Sequence, residues 1–485
     1  MFDQFRSISK HPLTNGFLYI FLFGVALLIR FTHVSYLDMS DPTDYWFYGV
    51  QLDHLGQVPL YHRSLRFPIL FVVYLFHQLS HNIALIQLIP LGMFALISVF
   101  TFWYVRKHTN TLYAIAAYVL LIFFINSDYY AAHIRPAIFV SSFVLLVGCL
   151  LEKYQNRFET KHVFAIVLIS ALAFQTHLLY LFYVPAILLY LYLYRGTLTS
   201  KHLAYIFGFA VLFYVIDAGL IYSAFGKPLS GRLGVIAESY GRSGKLEKLA
   251  EVYSSNLLAR YAPQNLHPYW TFLIALNFVL YFFTRSKNVF VLSCLSFYFF
   301  ITIAIKKIFP ITPALIFTER YLNSSIPILL ISVVMQVWEL QQVKPKIKYA
   351  MLALLLVSTA WVYNHRQIEG PGDDRYMPLV LMEINKKFSS IEKKCDYVFS
   401  LGSRYEDGSI RVDHKRITNF VNHVVFDEEL EPRYIFTTIG EGKSANDYLI
   451  HRDHQNQDIQ RNKYHCRITK DPRIKMKKRQ HEVSQ

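Results

Sequence analysis

Three carboxylates, Asp38, Asp41 and Asp44, recur at every third position just after the first long apolar run of the chain. Carboxylates gathered at the edge of a bilayer are costly unless they are hydrated, paired or put to use. Two uses suit them: a carboxylate can take a proton from an attacking oxygen, and a cluster of oxygen ligands can hold a hard divalent ion. A plainer reading stands beside these, in which Asp41 and Pro42 are the N-cap and first turn of a helix and the acids are simply solvated. Arg66, Arg135 and Arg320 lie at the margins of apolar runs. There a guanidinium can snorkel to bind phosphate bidentately, or merely anchor lipid head groups. His177 separates two further apolar runs and is open to the same pair of readings, site residue or hydrogen-bonded loop histidine.

The elements that must position these residues are apolar. Of 485 residues 54% are apolar and 17% charged, with a mean hydropathy of +0.28, so lipid is the expected main solvent. Runs able to cross hydrocarbon start near Phe17, Ile83, Leu112, Ala137, Val163, Leu178, Ala204, Tyr269, Val289, Tyr321 and Tyr349. These predict about eleven crossings. The runs Val163 to Gln175 and Leu178 to Tyr194 are read as a tight helical hairpin, the alternative being one bent segment. Phe67 to Leu79 is too short to span and is expected to lie along or dip into the interface. After Tyr363 the composition changes. The tail, 364–485, reads as a small soluble α/β domain with short strands around Asp396–Ser400, Val424–Phe426 and Arg433–Thr438 and a disordered end. The expected fold is therefore an all-α polytopic membrane domain over 1–363 followed by that tail.

Charge sets the expected orientation. The tail holds 22 Lys/Arg against 19 Asp/Glu, so 13 of the 16 excess positive charges fall among the apolar spans. Cations placed between spans mark cytoplasmic loops, not a polar nucleic-acid-binding domain, and nucleic acid is excluded as a partner. The alternation puts the N-terminus in the cytoplasm of a multi-pass protein, read as one of the bacterial inner membrane, with the tail periplasmic. No cleavable signal peptide is expected, because the run from Phe17 is long enough to span and lacks a small-residue cleavage site. One outward loop, Gly226 to His267, is nonetheless basic, with Lys227, Arg232, Arg242, Lys245, Lys248 and Arg260, and asks for an anionic partner. Its Gly231, Gly234, Gly241 and Gly244 suit a flap, or an ordinary solvated loop. Arg30 and Asp217 fall inside spans and are expected to be paired. Cys149 and Cys294 read as packing residues. A disulfide between Cys395 and Cys466 is chemically permitted but not fixed by spacing.

The stretch from Asp41 carries a resemblance. Asp41 and Tyr45 are followed by Gly56, Pro59 and Tyr61 and then by Arg66-Phe67-Pro68-Ile69-Leu70. Arg135-Pro136, Thr176-His177, and Glu319-Arg320-Tyr321 ahead of Pro327 come later. In this order the chain resembles the GT-C class of polyprenyl-phosphate-dependent glycosyltransferases, in the branch of lipid A aminoarabinose transferase and protein O-mannosyltransferases. It departs from that pattern where Pro42 replaces a Glu, Ala137 an acidic residue, and His177 a Lys.

The resemblance implies inverting transfer of a sugar from a polyprenyl-phosphate donor to an envelope glycolipid, glycan or protein. Asp41 would be the catalytic base. Asp44, and more weakly Asp38, would be alternatives to it or ligands with Asp41 for a divalent metal ion. Arg66, Arg135, Arg320 and His177 would hold the donor phosphate, and Tyr45 and Tyr61 would line the substrate cavity. Two other classes stay open: a polysaccharide polymerase or ligase, which also holds polyprenyl-linked glycans with outward arginines, and a transporter or flippase, for which Asp217 would be the indispensable residue.

Overall fold

The computed structural model describes residues 12–31, 41–50, 52–53, 62–79, 83–132, 134–154, 158–193, 199–226, 232, 235, 266–284, 291–303, 305–307, 312–313, 322–340 and 343–365, with five two-residue strands of the tail. Helices dominate. The first seven are α1 (Pro12–Phe31), α2 (Asp41–Val50), α3 (Phe67–Leu79), α4 (Ile83–His108), α5 (Thr111–Ile122), α6 (Ser127–Ala132) and α7 (Pro136–Tyr154). They are followed by α8 (Thr160–Thr176), α9 (Val184–Leu193), α10 (Ser200–Phe225), α11 (Pro268–Phe283), α12 (Val291–Ile303), α13 (Ile326–Glu339) and α14 (Pro345–His365).

Among the described residues four helical segments are long and apolar enough to cross a membrane: Leu88–His108, Pro136–Tyr154, Ser200–Phe225 and Pro345–His365. Helix α10 shows why hydrocarbon is their solvent. Leu203, Phe207, Val211, Val215, Leu220 and Tyr222 stand exposed along it, Phe207 by 72%. An apolar face of that length would drive aggregation in water and is at ease in lipid. The chain is thus a mainly helical membrane protein. Other apolar helices are shorter, and α9, with 10 residues, rises only about 15 Å against the ~30 Å of a hydrocarbon core.

Contacts divide the chain into two units, 1–34, 54–71 and 89–366 in one and 35–53, 72–88 and 367–485 in the other. The larger is organised around α13. Every residue from Ile326 to Val337 is buried, as a helix with apolar residues all round must be. It packs on α5, α7, α11, α12 and α14. Inside the bundle Ser332 Oγ donates to Asn277 Oδ1 at 2.7 Å and Gln336 Nε2 donates to Ser332 Oγ at 2.9 Å, while Gln336 Oε1 is buried without a hydrogen-bond partner among the described residues. Gly148 of α7 lets Leu292 of α12 approach to 2.5 Å from where a Cβ would stand.

Elsewhere in this unit the ends of α4 and α7 are tied through one carboxylate. Glu152 accepts from Tyr104 Oη at 2.5 Å and from Lys107 Nζ at 2.8 Å, with His108 Nε2 also at 2.8 Å. Arg106, Lys107 and His108 fill the last turn of α4, where cations complement the helix dipole. Arg30 is buried, its guanidinium 5.5 Å from the Phe94 ring centre and its Nη1 donating to Tyr363 Oη at 3.4 Å. Cys149 and Cys294 are free thiols, Cys294 buried.

The expected hairpin of α8 and α9 takes a different form. His177 adopts extended backbone, φ −166° and ψ 145°, which ends α8, and a 3-10 turn over Leu178–Phe182 leads into α9. Helix α8 packs along α7 and α10, whereas α9 packs on α12. Two helices whose main packing partners differ in this way are not a tight hairpin. The short polar break is there, as one extended residue followed by a 3-10 turn.

In the smaller unit, α2 buries Tyr45, Trp46 and Tyr48. Its strands pair as a three-stranded sheet, with Val398–Phe399 between Ile435–Phe436, parallel to it, and Leu449–Ile450, antiparallel to it. A two-residue ladder joins Ser403–Arg404 to Ile410–Arg411. The expected strand at Val424–Phe426 and the thiols of Cys395 and Cys466 lie outside the described residues.

Candidate anion site in the larger unit

A small, half-open cleft is lined by His62, Arg66, Phe174, Gln175, Thr176, His177, Leu178 and Arg232. Three stretches of chain converge on it. The first is the turn before α3, where Arg66 N–H donates to the Arg63 carbonyl at 3.2 Å and the Arg66 carbonyl accepts from Ile69 and Leu70. Arg66 thereby caps α3, with Pro68 in its first turn, where a missing N–H costs nothing. Its side chain is 7% exposed.

The second stretch is the end of α8. Thr176 Oγ1 turns back to the Leu172 carbonyl at 2.8 Å, and His177 N–H closes the helix on the Ala173 carbonyl at 3.1 Å. The Leu179 N–H donates to His177 Nδ1 at 3.0 Å, so the proton of the neutral ring sits on Nε2. Burial first, then the charge of Arg66, holds His177 well below the ordinary histidine range, with His62 and Arg63 adding to the effect. Burial, then Arg63, pulls His62 down to about 4. Both imidazoles are therefore neutral donors at neutral pH, while Arg66 carries full charge.

The third stretch follows α10. Gly226 caps that helix in the left-handed region, φ +62°, returning its N–H to the Tyr222 carbonyl at 2.8 Å. The chain then brings Arg232 back onto α10. Arg232 Nε donates to Asp217 Oδ2 at 3.0 Å and Nη2 to Asp217 Oδ1 at 2.7 Å. Nη1 donates to the carbonyls of Gln175, at 3.2 Å, and Leu65. Gln175 Nε2 completes the set on Asp217 Oδ1 at 3.0 Å. Arg232 and Asp217 are 2% and 4% exposed, and Phe67 lies beneath the guanidinium at 5.5 Å. Leu65, Ile221 and Val235 form a small apolar core beside the pair, with Phe67 and Phe225 packed on it.

Chemically the cleft is a cationic, donor-rich pocket, and none of its described lining residues is a carboxylate; Asp217 beside it is engaged by Arg232. That arrangement suits a phosphate or similar anion. Of the residues singled out by sequence, Arg66 and His177 meet here. Arg135 is buried where α7 begins and does not line the cleft. Arg320, Tyr61 and Asp38 lie outside the described residues, as do the side chains of Asp41 and Asp44, whose backbone forms the first turn of α2. Among the described residues no three His, Cys, Asp or Glu side chains are grouped to hold a metal ion. Gly231, Gly234, Gly241 and Gly244 are likewise outside the description.

Sequence reasoning passed over His62, Arg63 and Gln175. The signal for the first two was the basic run from His62 to Arg66 directly ahead of an apolar helix. In the sequence Arg232 reads as an outward cation seeking an external anion; in the structure its anion is the protein's own Asp217. No protein-family model and no curated protein matches the chain.

Proposed function

We propose that this protein is an integral membrane glycosyltransferase that moves a sugar from a polyprenyl-phosphate donor to an envelope lipid, glycan or protein acceptor on the outer face of the membrane. The observation that carries the reading is the convergence of Arg66 and His177, far apart in sequence, on one cationic cleft at the ends of apolar helices. Inverting transfer needs cations to stabilise a departing phosphate while the prenyl chain stays in lipid. Asp41 is the proposed base, with Asp44 as its alternative and Asp38 a weaker one. The GT-C-like arrangement of about eleven spans, a cytoplasmic N-terminus and a periplasmic α/β tail belongs to the same proposal.

The test is transfer of labelled sugar from polyprenyl-phosphate donors in nanodiscs by the wild type, Asp41→Asn, Asp44→Asn and Arg66→Gln, each checked for folding. Turnover lost in Asp41→Asn and in Arg66→Gln supports the reading. Full turnover in all variants removes the proposed site, and absence of transfer from every donor removes the reaction.

A further inference from the structure

We propose that Asp217 and Arg232 form a positioning clamp that holds the backbone of Leu65-Arg66 and of Gln175-Thr176-His177 in register, so that Arg66 and His177 face one cleft. The inference deepens the glycosyltransferase reading by naming what assembles its phosphate pocket, and rests on it for the pocket's use. A guanidinium has five N–H donors in a rigid fork. Two of Arg232's donors hold both carboxylate oxygens of Asp217, and Nη1 holds the carbonyls of Leu65 and Gln175. Four of the five are therefore committed inside the protein. Arg232 lines the cleft without being free to serve as its main anion ligand, and Asp217 neutralises it.

Each carbonyl held by Nη1 belongs to a residue next to one that faces the cleft. Leu65 precedes Arg66, and Gln175 precedes Thr176, which leads into His177. Gln175 is gripped twice, by its carbonyl and by its amide on Asp217. A buried ion pair is a poor source of stability, because desolvation offsets much of its attraction, but its directional bonds are a good source of register. Lysine at position 232 would keep the charge and lose the fork, since an ammonium cannot span two carboxylate oxygens and two carbonyls together.

The clamp is tested by the protonation of His177, which depends first on its burial at the end of α8 and then on its being held against Arg66, His62 and Arg63. Histidine-labelled full-length protein in nanodiscs is titrated by NMR between about pH 5 and 8, the His177 signal being assigned by its loss in His177→Gln. In the wild type the ring stays neutral throughout. In Arg232→Lys and Arg232→Gln it is expected to titrate near its ordinary value, because the two stretches separate. Arg232→Lys controls for the direct effect of removing a cation, and decides the matter alone if Arg232→Gln does not fold. A flat His177 profile in the variants, even with a lowered melting temperature, would overturn the clamp and leave the pair a purely stabilising one. Neither profile needs a sugar donor, so a protein without transferase activity could still keep the clamp, and an active one could lose it.

Discussion

Arg232 lies side-on against Asp217, its Nε and Nη2 each within 3.0 Å of a different carboxylate oxygen, although one residue belongs to a membrane-length helix and the other follows its end. Removing one partner leaves the other charged and buried, which in proteins generally costs about 3–5 kcal/mol. Asp217→Asn and Arg232→Met should each lower the melting temperature sharply. The double replacement Asp217→Leu with Arg232→Met removes both charges and should regain much of the loss. Thermal unfolding in matched detergent measures this, and a double variant no more stable than either single one would mean that the bonds to Leu65 and Gln175 outweigh the ion pair.

The opposite sensitivity is expected at Gly148. A methyl group there would begin 2.5 Å from Leu292 Cδ2, inside a contact where Leu292 and Leu295 are wholly buried. Gly148→Ala should be destabilising by about 1–3 kcal/mol through overpacking, more than the helix propensity of alanine returns, and Gly148→Val by more. Combining Gly148→Ala with Leu292→Ala should relieve the clash. If Gly148→Ala raises the melting temperature, the close approach of α7 and α12 is not tight.

Apolar periodicity and length made the membrane helices legible, because hydrocarbon demands that backbone polar groups pair within each segment. Arg66 and His177 were legible as polar interruptions at helix ends. What the sequence could not convey was partnership. Asp217 announced a need for a cation, yet several basic residues in the following loop met that description equally, and only the return of the chain after Gly226 selects Arg232. The break at Thr176-His177 was visible too, but its direction depends on the extended φ and ψ of His177 and on the packing of α9 against α12. Long-range register of this kind has no local signature.

His62 gives the protein an acid weakness. Its folded value of about 4 lies below the 6.5 of an exposed histidine, so above that ordinary value both states are neutral and stability is unaffected. As pH falls from about 6.5 towards 4, the unfolded chain takes up a proton that the folded chain refuses, and stability declines across that window. Melting temperature should drop from neutral pH to about pH 5, and His62→Gln should flatten part of the drop. An identical pH profile in wild type and His62→Gln would place the acid sensitivity elsewhere.

The same neutral imidazoles set how the cleft should bind anions. An anion beside His62 and His177 favours their charged forms, and by reciprocity protonating them strengthens its binding. Sulfate is a suitable probe because its charge is constant over the useful range. Its affinity for the wild type, measured by calorimetry in nanodiscs, should rise as pH falls from about 8 to 5, with net proton uptake on binding. Arg66→Gln should weaken binding at every pH by removing the permanent charge, while His177→Gln should leave much of the affinity at high pH and remove most of its rise at low pH. Affinity that is independent of pH in the wild type would show that the imidazoles stay neutral when the anion is bound, leaving Arg66 as the charge that holds it.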